Sequence, residues 1–240
     1  MIKKTLIATA LLASSSAALA EISANVTLAT DYVFRGISQT DENPAIQGGF
    51  DWGHDSGFYL GTWASNVQFN ENLLVTPDDS VDEAAIEVDF YGGFANSFTS
   101  GLGYDVGAIY YAYPGASSSL NYDFYEFYGG LDWAFNDTWS IYGKVSYSPE
   151  FFGESGAAWY LDGGLDVSLP SNWGLFARAG YQTIEDAEPD NYADWGLGVT
   201  WGVYGVDLGL AAYGVNGKGK DFAGDNIGDT RAVLSISKSL

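Results

Sequence analysis

The chain has 240 residues, with 31 Asp and Glu against nine Lys and Arg, one His, no Cys and a formal net charge of −22. That charge excludes nucleic acid as a partner, because phosphate binding needs a basic surface. Without Cys there are no disulfides, iron–sulfur clusters or thiolate zinc sites. Aromatics at 16% and 31 glycines argue against disorder, and the length suits one domain.

Residues 1–20 read as a cleaved secretory signal peptide ahead of a single domain at 21–240. Lys3 and Lys4 give a positive start, Thr5 to Leu12 an apolar stretch, and Ala18-Leu19-Ala20 a small-x-small cleavage site. No Cys follows the cleavage site for lipid attachment, and no later run is long and apolar enough for a membrane helix. The pattern predicts export from a bacterium and leaves three destinations open: periplasm, exterior, or the outer membrane as strands.

Beyond residue 20 helical periodicity is absent and two-residue alternation recurs. In Glu87-Val88-Asp89-Phe90 the acids share one face. Trp159, Leu161, Gly163 and Leu165 alternate with Tyr160, Asp162, Gly164 and Asp166, and the stretches after Asp194 and Arg231 repeat the pattern. Strands are predicted at about 22–34, 45–52, 57–66, 84–94, 101–111, 122–133, 138–147, 158–168, 173–182, 192–201, 205–213 and 229–239. In 57–66 neither face is clearly the apolar one. Short and long connections alternate throughout. The short ones carry turn residues, such as Asn136-Asp137 and Pro170-Ser171-Asn172.

A meander with tight turns at one end and long loops at the other is the plan of an outer-membrane β-barrel, here with twelve antiparallel, up-and-down strands. The aromatics fit two interfacial girdles. Trp52, Trp133, Trp139, Trp173 and Trp201 lie beside short turns; Tyr110, Tyr111, Tyr113, Tyr122, Tyr147, Tyr160, Tyr181, Tyr192 and Tyr213 lie beside long loops. A soluble β-sandwich with core aromatics shares the alternation and remains open on this ground.

The run Asp31-Tyr-Val-Phe-Arg-Gly-Ile-Ser-Gln-Thr-Asp-Glu-Asn-Pro-Ala-Ile-Gln-Gly-Gly-Phe-Asp51 closely resembles the proteobacterial TorF family of porins. The resemblance continues through Gly57-Phe-Tyr-Leu-Gly-Thr-Trp63, Tyr91-Gly-Gly93, Tyr113-Pro-Gly115 and Asp123-Phe-Tyr-Glu126. It implies an outer-membrane barrel with a channel role, and carries over neither a catalytic motif nor a substrate. Leu240 departs from the terminal aromatic usual in such barrels.

No enzyme is expected. The one histidine, His54, falls in a predicted short turn beside Asp55, on the wrong side of the membrane for a lipid-hydrolase site. Gly101-Leu102-Gly103 and Gly196-Leu197-Gly198 lack the third glycine of a dinucleotide loop; their period puts them on one strand face, where they leave lumen space or let an aromatic lie over the backbone. No cofactor is expected.

The polar strand face carries the acids. With a barrel's polar face inward, the pore-lining candidates are Glu87, Asp89, Asp105, Glu126, Asp132, Asp162, Asp166, Asp194 and Asp207, joined by Asp51, with Lys144, Arg178 and Arg231 as a partial counter-stripe. A wet lumen so lined concentrates cations and repels anions. More acids crowd the long loops: Asp41-Glu42, Asp78-Asp79, Asp82-Glu83, Glu185-Asp186, Glu188, Asp190, Asp221, Asp225 and Asp229. Their spacing matches no calcium motif, so no metal site is expected. Arg35, at the mouth of the first outer loop, has three candidate partners: a lipid phosphate, a loop carboxylate or a constriction residue.

The expected partners are outer-membrane lipid, lipopolysaccharide, and small solutes or ions. The expected function is a small cation-leaning porin. Its alternative is a non-conducting barrel that acts as a surface-interaction or envelope-structure protein. The oligomeric state has no signature in the sequence.

Overall fold

The computed structural model describes residues 21–69, 83–224 and 226–240. The predicted signal peptide, Asp78, Asp79, Asp82 and Asp225 lie outside them. The elements in chain order are β1 (Glu21–Ala29), β2 (Val33–Phe34), β3 (Ile37–Ser38), β4 (Ala45–Gly53), β5 (Phe58–Asn66), β6 (Ile86–Ser97), β7 (Leu102–Ala112), β8 (Phe124–Ala134), β9 (Trp139–Ser148), β10 (Ala158–Leu169), β11 (Trp173–Ile184), β12 (Asn191–Val203), β13 (Val206–Val215), α1 (Gly217–Ala223) and β14 (Arg231–Ser239).

Twelve of the strands close into one antiparallel barrel, each paired with its neighbour in sequence, with β1 on β14 sealing the seam and β2–β3 standing apart as a small hairpin. Closure leaves no strand edge unpaired, which is what a sheet surrounded by lipid requires. Among the described residues no helix is long and apolar enough to cross a membrane; the apolar band is made by strands.

One face of every barrel strand points out and carries large apolar side chains in the open: Ile46, Phe50, Leu60, Phe90, Phe127, Leu161, Leu197 and Leu234 are all exposed. A water-soluble protein does not leave so continuous an apolar belt uncovered, and this disposes of the sandwich. In β5 the ambiguity resolves with Tyr59, Gly61, Trp63 and Ser65 inward and Phe58 and Leu60 outward. All five tryptophans beside the short turns point outward, and Trp173 stacks on Trp201 across the β11–β12 pair at 5.4 Å.

The girdle beside the long loops needs correcting. Tyr110 and Tyr181 are exposed as expected, and Tyr147 packs on exposed Trp159 at 4.5 Å. Tyr111, Tyr113, Tyr122, Tyr160 and Tyr192 are instead buried, and Tyr213 follows the inward parity of β13. The reason is the strand period itself: Tyr110 and Tyr111 are adjacent, so one faces lipid and the other the lumen. Tyr125 and Trp159, exposed on β8 and β10, complete the outer girdle.

Two further differences shape the interior. The first strand ends at Ala29, not 34, because the chain then turns into the barrel. Arg35 and Gly36, at φ +48 and +84, make the two-residue turn between β2 and β3, and positive φ at both central positions is the geometry of a tight hairpin. The loop before β14 holds the seven-residue α1, which alternation reading missed. Glycines at 217 and 219 are poor helix formers. What holds α1 is the Asn216 side chain, which accepts from the Gly219 N–H at 2.9 Å, and packing with Ile37, Tyr192 and Val215.

Candidate functional site

Every residue predicted to line the lumen lies on the inward-facing positions of its strand, but they divide into buried and open groups. Glu87, Asp89, Asp105, Glu126, Asp162 and Asp194 are buried. Toward the short-turn end Asp51, Asp132 and Asp207 are half-buried and Asp166 is exposed. The lumen is therefore crowded in its outer half and opens toward the short turns.

The β2–β3 hairpin causes the crowding. Asp31 anchors its base, accepting from Ser38 Oγ at 2.6 Å, Thr40 Oγ1 at 2.9 Å and Arg231 Nη1 at 3.0 Å. Arg231 thus joins the hairpin to β14 at the rim and reaches Glu42 at 3.5 Å. At the tip, Arg35 is 6% exposed. Its Nη2 donates to both carboxylate oxygens of Glu126 at 2.7 Å, and its Nη1 donates to Gln182 Oε1 at 2.6 Å. The guanidinium lies over the Phe34 and Tyr160 rings, 4.6 and 4.2 Å from their centroids. Of its three candidate partners, Arg35 takes the constriction residue.

Arg178 organises a second network, on the wall formed by β10–β12. It donates to Asp194 at 2.8 Å and to the Tyr160 hydroxyl at 2.6 Å, and lies 3.7 Å from Asp162. Lys144 on β9 sits over the Tyr128 ring at 5.5 Å. Tyr59 donates to Asp105 at 2.7 Å and bonds to the Tyr128 hydroxyl; Tyr91 bonds to Asp51. The facing wall differs. Glu87 on β6 accepts from Tyr32 and Tyr113, both at 2.7 Å, and Asp89 follows two residues on. Among the described residues no Lys or Arg nitrogen comes within 4 Å of either carboxylate. The lumen is thus polarised, with cations gathered at β9–β11 and the hairpin tip, and uncompensated acids on β6.

Above this layer an aromatic cluster of Tyr111, Tyr113, Tyr122 and Phe124, packed with Phe69, Phe151 and Phe152, narrows the outer mouth. Burial pushes the Tyr122 phenol up to about 12. At the rim, Lys220 bonds to Asp229 and holds that carboxyl below its ordinary range.

The inward glycines serve aromatics: a Cβ on Gly196 would meet the Tyr213 ring, and one on Gly198 the Phe176 ring. His54 lies exposed in its turn, where its Nδ1 pairs with Ser56 Oγ at 2.7 Å. Among the described residues no three acidic or histidine side chains gather to hold a metal ion.

Sequence parity put the predicted residues on the inward-facing positions and left Arg35 with three candidate partners; it did not find the tyrosines that tie the carboxylates, or Gln182. The signal for Arg35 was present, as Arg-Gly between short apolar pairs is a hairpin turn.

The fold recurs in solved outer-membrane proteins. The KdgM porin aligns with TM-score 0.62 at 10% identity over 91% of this chain and 99% of its own. The NanC porin gives 0.55 at 8% identity, covering 90% and 98%. An outer-membrane channel of Pseudomonas putida F1 gives 0.54 at 9% identity, covering 93% and 96%. At such identities the likeness is one of fold. No curated protein matches in sequence. A family model matches residues 13–240, and the chain belongs to that family, described as bacterial protein of unknown function (Gcw_chp).

Proposed function

We propose that this chain is an outer-membrane porin that lets small solutes diffuse through an acidic lumen, favouring cations and neutral molecules over anions. The observation that carries the reading is the closed barrel with an apolar exterior and an interior where carboxylates outnumber bases. Low-dielectric walls focus the field of those carboxylates, and screening over about 8 Å at physiological salt leaves neighbouring charges coupled. The hairpin tip acts as the constriction, with Arg35 and its partners on one side and the β6 acids on the other. The resemblance to TorF porins, which covers most of the chain beyond residue 20 and is most specific in its first half, points the same way.

Refolded residues 21–240 in a planar bilayer are expected to give discrete conductance steps. A folded, inserted barrel that stays electrically silent rejects the reading. Retention in the membrane fraction through alkaline carbonate tests the location.

One observation favours a second reading, a non-conducting barrel that works through its acidic loops. The outer half is filled by the Arg35–Glu126 pair and the aromatic cluster. The same recording separates the two.

A further inference from the structure

We propose that Glu87 and Asp89, with the Trp63 and Tyr111 rings beside them, form a binding site for a primary ammonium group on a solute. Asp89 is 5% exposed, and among the described residues its Oδ1 has no hydrogen-bond partner. A buried carboxylate oxygen left so bears its full desolvation penalty, which a cationic N–H donor removes. Glu87, 2% exposed, is already fixed by the Tyr32 and Tyr113 hydroxyls, so its geometry is set before any ligand arrives.

The strand register supplies the walls. Trp63 on β5 and Tyr111 on β7 are the two cross-strand partners of Asp89, so their side chains project from the same face beside it. Tyr32 packs edge-on to Trp63 at 5.3 Å. Aromatic faces attract ammonium and guanidinium groups. The chain displays this mode elsewhere in the same lumen, where Arg35 is held by the Glu126 carboxylate and lies over the Phe34, Phe151 and Tyr160 rings. Among the described residues no Lys or Arg nitrogen lies within 4 Å of the β6 carboxylates, and Arg35 is committed to Glu126 and Gln182.

A divalent metal ion suits this place poorly. Calcium takes six to eight oxygens, and among the described residues no three acidic or histidine side chains gather to supply them. The unsatisfied Oδ1 also favours a primary ammonium over a quaternary one, which has no N–H to give.

The site deepens the porin reading and rests on it for the route by which a solute arrives, so binding is measured apart from current. The folded barrel in non-ionic detergent is titrated calorimetrically with n-butylammonium chloride and, in parallel, with tetramethylammonium chloride. Saturable butylammonium binding is expected, stronger than that of tetramethylammonium, and weakened tenfold or more by Asp89→Asn and by Trp63→Leu. Folding of each variant is checked by heat-modifiable gel migration. If Asp89→Asn does not fold, Glu87→Gln takes its place with the same expected loss. Absence of saturable binding, or equal affinity in wild type and the neutralised variant, overturns the site. Binding to a barrel that passes no current keeps the site and rejects the porin reading; current without binding does the reverse.

Discussion

Arg35 and Glu126 carry the most consequential pair in the interior. Both are buried and joined through two hydrogen bonds at 2.7 Å. Breaking a buried ion pair from one side strands the other charge and costs about 3–5 kcal/mol. Glu126→Gln is therefore expected to lower the thermal unfolding temperature of the detergent-folded barrel more than Asp166→Asn, whose side chain is exposed at the open end. Equal shifts in a melting experiment would contradict the role given to the pair. Sequence parity was enough to put Glu126 and Asp166 on one face. Which of them is buried depends on a hairpin that inserts from a distant part of the chain, and no local pattern records that.

Among the elements, the β2–β3 hairpin decides whether the lumen is narrow. Gly36 has φ +84, and a Cβ there would come within 2.6 Å of Val215 and 2.8 Å of Asp194. Gly36→Ala meets both the backbone strain of positive φ and that crowding. The hairpin is expected to lift from the β12–β13 wall, and single-channel conductance to rise above wild type; unchanged or lower conductance would contradict its role as the constriction.

The barrel strands make a complementary prediction. Leu210 on β13 is exposed on the lipid side, while Ser235, on neighbouring β14, faces inward. A Lys on the lipid face near mid-bilayer costs about 2–4 kcal/mol. Leu210→Lys should thus destabilise the barrel in a urea folding titration in lipid vesicles well beyond Ser235→Lys, and a reversed order would put the two faces the wrong way round. The strands were legible because lipid outside and polar groups inside impose a strict two-residue period. The premature end of β1 and the helix α1 were not, since the first is set by the inserted hairpin and the second by the single Asn216 cap together with packing on Ile37, Tyr192 and Val215.

For the whole molecule, the distribution of charge matters more than its sum. Arg178 compensates Asp162 and Asp194, Arg35 compensates Glu126, and Arg231 closes the rim, which leaves the β6 acids facing the cationic wall across the lumen. Opposed charges at a constriction create a transverse field, and under the proposed porin function the surplus of carboxylates is what would set which ions enter. The surplus was legible in the sequence from parity alone. Its partition into paired and unpaired acids was not, because strand register and side-chain reach select the partners.

The most direct measurement is the reversal potential of the reconstituted channel under a KCl gradient, in wild type and in the double variant Glu87→Gln/Asp89→Asn. The acidic lumen predicts a potential on the cation-selective side that moves toward zero in the variant. An anion-selective potential, or a cation-selective one that the variant leaves untouched, would contradict the claim that the luminal carboxylates govern passage.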